Sequence, residues 1–203
     1  MSFFIDHPDE WIGVPERWPF PLTNGGVLSS PADWIRQVVD EIGESEGLDA
    51  DVREHMTGIL GMAVQRGITS GHRTFVAFET WSGPAYIVEC ESMSAVEQGT
   101  RSLEDFAGLD DRDQLGVPFA EEFTTTSGLT GVRCYRYLPY PGGVEGMIYG
   151  RADYVFRQAD ELLVFRSAEF DMVYFRRLLP ALERLVASTS WADVPVAEVT
   201  ATD

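Results

Sequence analysis

Between residues 31 and 67 the apolar positions recur with a helical period. Trp34, Ile35, Val38, Val39 and Ile42 share one face of a first helix, and Val52, Met56, Ile59, Leu60 and Ala63 share one face of a second. Ser30-Pro31-Ala32-Asp33 offers the first helix an N-cap, a first-turn proline and an early acid, while Gly43 and Gly47 are expected to end it. The second begins near Asp49 and is expected to stop at Arg66-Gly67. The period then falls to two. Segments 73–80 and 85–91 are β-branched and aromatic runs separated by Trp81-Ser82-Gly83-Pro84, the signature of a hairpin. Four more runs, 119–125, 132–138, 146–157 and 161–167, are divided by Ser127-Gly128, by Pro139-Tyr140-Pro141-Gly142-Gly143 and by Gln158-Ala159-Asp160, and predict an antiparallel meander. In the third run Ile148, Gly150, Ala152, Tyr154 and Phe156 alternate with Tyr149, Arg151, Asp153 and Arg157, so one sheet face is expected to be wet or to meet a partner. Residues 170–188 predict a closing helix on a Tyr174, Leu178, Leu182, Leu185 stripe, kinked or divided at Pro180.

The 203 residues fit one domain. Residues 1–30, rich in Trp, Pro and Gly, read as an arm laid on it; 31–191 form a single α+β domain; 192–203 read as a flexible acidic tail. The predicted fold is an antiparallel sheet of about six strands, a hairpin plus a meander, packed against two N-terminal helices and one C-terminal helix. The polar stretch 93–118 reads as a connector with a short helical candidate at 102–106.

Charge narrows the chemistry. Asp and Glu number 33 against 15 basic residues, a net charge of −18, and every basic residue is Arg. Without lysine there is no Schiff base, no phosphate-cradling lysine of a Walker A loop and no kinase-type ATP lysine. A field this negative repels nucleic-acid backbones and anionic membranes and favours cationic partners, although a merely solvated acidic surface would look the same. No apolar run reaches the roughly 18 residues of a membrane span, and the first residues lack the basic start of a secretory signal, so a cytoplasmic location is expected. Cys90 and Cys134 each fall inside a strand run and are expected to be buried free thiols.

Motifs are sparse. His7, His55 and His72 make no metal spacing with each other or with the cysteines, and only His72, ahead of the first hairpin, is a candidate base. The acids Asp105, Asp110, Asp111 and Asp113 fail as a calcium loop at Leu115, where a further Asp or Asn is needed. Neither a metal nor a cofactor is expected. Aromatic residues are the more telling class: Tyr135, Tyr137, Tyr140 and Tyr149, accompanied by Arg133, Arg136 and Arg151, form the candidate binding set, because binding hot spots favour such aromatics beside Arg. A staple holding the arm to the sheet accounts equally for such aromatics and is favoured for Trp11 and Trp18.

The closing run Glu161-Leu162-Leu163-Val164-Phe165-Arg166-Ser167, followed by a helix of the pattern Phe175, Leu179, Leu182, Val186, Ser188, resembles the PsbP-like α/β/α sandwich proteins over the last third of the chain. The resemblance implies an accessory, non-enzymatic module. The leading expectation is therefore a protein-protein interaction module binding a partner protein, cationic in character, of the bacterial immunity or secretion-accessory type. The alternatives are a small hydrolase-like enzyme using carboxylates or His72 in a sheet-helix cleft, and a nucleic-acid mimic.

Overall fold

The computed structural model describes residues 2–22, 25–140, 142 and 146–192. In chain order its elements are β1 (Ser2–Ile5), β2 (Trp11–Val14), β3 (Phe20–Pro21), β4 (Val27–Leu28), α1 (Pro31–Ser45), α2 (Ala50–Ser70), β5 (Arg73–Phe78), β6 (Ala85–Ser94), α3 (Leu103–Ala107), β7 (Phe119–Thr124), β8 (Thr130–Pro139), β9 (Ile148–Gln158), β10 (Glu161–Glu169), α4 (Met172–Ala187) and β11 (Thr189–Ala192). Seven of the strands form one antiparallel sheet in the order β2-β5-β6-β10-β9-β8-β7. The α+β class, the hairpin and the meander are as expected, with β10 pairing back onto β6 to join the two. Among the described residues no helix is long and apolar enough to cross a membrane.

The expected count of six strands is corrected to seven, and the extra strand comes from the arm. β2 pairs with β5 at the sheet margin, with Trp11 opposite Ala77, and Trp11 is only 1% exposed. Its indole Nε1 donates to the Ala181 carbonyl of α4 at 3.2 Å, so this tryptophan is a staple. The chain ends are tied as well, since β1 pairs antiparallel with β11. Of the proposed tail, all but Ala192 lies outside the described residues, as do Pro141 and Gly143 of the β8–β9 loop.

Period-two alternation sends the two side-chain sets of each strand to different layers. On one face Phe75, Val88, Phe165, Tyr154 and Phe156 pack beneath Phe175, Leu178, Leu182 and Leu185 of α4. On the other, Val76 meets Trp34, Met56, Leu60 and Val64 of α1 and α2, while Phe106 and Ala107 of α3 pack with Cys134, Val155, Leu162 and Val164. The connector thus contributes core.

Helix ends depart from expectation where tertiary contacts outweigh propensity. Gly43 lies inside α1, because a Cβ there would collide with the Arg53 guanidinium of α2, which itself donates to the Leu48 carbonyl at 3.1 Å. α2 continues past Gly67 to Ser70, where Gly71 at φ 73° supplies the left-handed cap. Pro180 sits within one continuous helix. Cys90 and Cys134 are free and buried, with β10 and β9 between their strands.

Candidate functional site

The seven candidate residues do not share a sheet face, because β8 and β9 alternate. Arg136 and Arg151 lie on the α3 face and converge on Asp153, which is 0% exposed. Arg151 donates through Nε and Nη2 at 3.0–3.1 Å and Arg136 through Nη2 at 3.2 Å, while Arg166 stands 3.8 Å away and pairs with Glu91 at 2.6 Å. Arg136 also donates to the Gly108 carbonyl at 2.7 Å and Asp111 at 3.1 Å, tying the connector behind α3 to the sheet. A buried charge survives only when paired and hydrogen-bonded, so these two arginines are committed to the fold.

Arg133 and Tyr135 lie on the α4 face. The Tyr135 hydroxyl is 2.6 Å from that of Tyr154, and Arg133 bridges Glu121 of β7 to Glu183 of α4. Burial pushes both phenols up, so they remain protonated. These residues join the sheet margin to the helix and present little to solvent.

The remaining candidates lie at one end of the sheet. The C-terminal end of β8, the N-terminal end of β9, the start of α4 and the start of β7 meet there. Tyr140 donates its backbone N–H to Met147 at 2.8 Å, and Leu115 donates to Tyr137 at 2.8 Å. Phe170 links the group, its ring centroid 5.2 Å from Tyr140 and 5.8 Å from Tyr149. Phe170 is 51% exposed, Phe119 47% and Tyr137 39%, and Ile148 and Val173 are exposed beside them. Glu169, whose carboxylate accepts from the backbones of Phe170 and Asp171, and the N-cap Asp171 flank this end with negative charge. Exposed aromatic clusters with a charged border have the composition of a binding surface. Phe170 and Phe119 escaped the sequence reading, although an aromatic one residue before a helix N-cap was the available signal for the first.

His72 lies at the opposite end of the sheet, lining a cavity of about 220 Å³ with Phe3, Glu16, Cys90, Glu91 and Glu161. Its Nε2 is 3.6 Å from Glu91 and its Nδ1 4.0 Å from Glu89. Glu16 is paired with Arg73 and Glu91 with Arg166. Burial pushes the Cys90 thiol far above its ordinary range, which removes it as a nucleophile. Among the described residues no three His, Cys, Asp or Glu side chains are grouped to hold a metal ion.

No protein-family model matches the sequence, and no curated protein matches it.

Proposed function

We propose that this protein is a non-enzymatic interaction module that holds a cationic partner protein at the aromatic end of its sheet, working in the cytoplasm as an accessory or immunity-type factor. The observation that carries this reading is the cluster in which exposed Phe170 packs against half-buried Tyr140 and Tyr149, with Tyr137 and Phe119 also exposed at this end, on a chain of net charge −18. Aromatics supply contact area at low entropic cost, and a negative field speeds encounter with a basic surface. The PsbP-like resemblance of the closing strand and helix pattern, seen in the sequence, favours an accessory role. The test is capture from the lysate of the native cell at low salt. A specific protein retained by the parent chain and lost with the Phe170→Ala, Tyr140→Ala pair supports the reading. An undiminished set of retained proteins refutes it.

A second reading, a hydrolase-like enzyme, is favoured by the cavity at His72 and its carboxylates. Turnover of generic ester or phosphoester substrates that disappears in His72→Gln would select it.

A further inference from the structure

We propose that the outer edge of β7 receives an extended basic segment of the partner as an added antiparallel strand; this rests on the partner-binding reading and extends its contact along the sheet. β7 is the last strand of the seven-stranded order, with β8 on one side only. Its side chains are exposed except for half-buried Phe123. Thr125 donates its N–H to the Leu129 carbonyl at 2.9 Å, and that bonded pair sets the phase of the ladder. Antiparallel pairing alternates, so positions 119, 121, 123 and 125 turn their backbone groups toward β8. Ala120, Glu122 and Thr124 turn theirs outward. Among the described residues, none of these outward groups has a backbone hydrogen bond.

The opposite margin of the sheet, β2, is short and followed by the Trp18-Pro19 segment, whereas β7 offers six residues. Open edges pair with further strands unless charge or bulges prevent it. Here charge selects the occupant. Glu121 is matched by Arg133, but Glu122 has no ion pair among the described residues. A second copy adding antiparallel along β7 would set the two Glu122 carboxylates against each other, and like charges across strands are unfavourable. A segment carrying Arg or Lys at alternate positions relieves that charge and completes the ladder. Phe119 begins the strand at the aromatic end, so one partner can occupy both surfaces.

The probe is a synthetic peptide of alternating Arg and Val, compared with the same peptide N-methylated at alternate residues, which keeps the charge and removes the ladder donors. Amide hydrogen exchange of the full chain is read residue by residue. The expected result is slowed exchange at Ala120, Glu122 and Thr124 with the first peptide, and binding about tenfold weaker for the methylated one. Glu122→Pro, which removes an outward N–H without breaking a bond to β8, should abolish the protection, and Glu122→Arg should weaken binding with the ladder intact. Equal binding of the two peptides, no binding at low salt, or protection elsewhere would overturn the proposal. The Phe170→Ala, Tyr140→Ala pair leaves the protection at β7 unchanged, so failure at the aromatic end is seen in the lysate capture and failure at the strand edge is seen in these amides.

Discussion

Replacing Asp153 by Ala tests whether the Arg cluster is structural. The carboxylate is fully buried and accepts from Arg136, itself 4% exposed at the side chain, and from Arg151 in two places. Deleting it leaves those two guanidinium groups, with Arg166 close by, in a largely dry layer. Removing one partner of a buried ion pair costs about 3–5 kcal/mol, because the remaining charge is desolvated without compensation. For a chain of this size each kcal/mol lowers Tm by about 2–4 °C, so a fall of roughly 6–20 °C is expected. Asp111 and Glu91 still accept from Arg136 and Arg166, which places the expectation toward the lower half of that range. Urea unfolding followed by tryptophan fluorescence measures the loss directly. Burial also predicts that 0.5 M salt will not restore stability, since screening acts on solvent-exposed pairs. The double variant Asp153→Ala, Arg136→Met should be destabilised by less than the sum of its single changes, because the second change removes one stranded charge. A loss below about 1 kcal/mol for Asp153→Ala would refute the structural assignment and return Arg136 and Arg151 to the candidate binding set.

Gly150→Ala should destabilise by about 1–3 kcal/mol in the same assay, because the new Cβ would lie 2.6 Å from the Phe175 ring of α4. Both thiols should resist a disulfide reagent in the native protein and react after unfolding; burial pushes Cys134 up to about 11 and Cys90 higher still, and prompt native labelling would contradict this. For Glu89, burial opposes ionisation, but the Arg66 hydrogen bond and charge outweigh it and hold the folded carboxyl below its ordinary range. Its contribution is therefore complete above the unfolded value of about 4.3 and is lost as pH falls through the folded one, so the urea midpoint of Arg66→Gln should fall less steeply than that of the parent below about pH 5.

Much of the fold is readable from local patterns. The caps at Ser30 and Asp49, the strand runs and the closing helix rest on short-range physics: spacing of apolar residues, turn chemistry and capping hydrogen bonds. The errors share one cause. Gly43 and Gly67 look like helix stops until the packing of Arg53 on the first and the cap at Gly71 beyond the second are known. β2 looks like an arm because a four-residue strand beside prolines carries a weak local signal; its pairing with β5 and the burial of Trp11 decide its place.

The candidate site divides along the same line. Sequence identified the aromatic and Arg-bearing strands and, through the charge of −18 and the lack of lysine, the sign of the protein's field and the lysine chemistry that is absent. It did not separate Arg136 and Arg151 from Tyr137 and Tyr149, since alternation along a strand assigns residues to faces but not which face is covered where. That depends on α3 docking over β8 and β9 and on Asp153 being buried beneath three arginines. Nor could it bring Phe170 to Tyr140 and Tyr149, which come from separate segments and meet because the β8–β9 hairpin and the start of α4 end at the same edge. Local composition determined the elements and the charge, whereas the long-range pairing of strands, which brings distant residues together, decided which side chains hold the fold and which are left exposed.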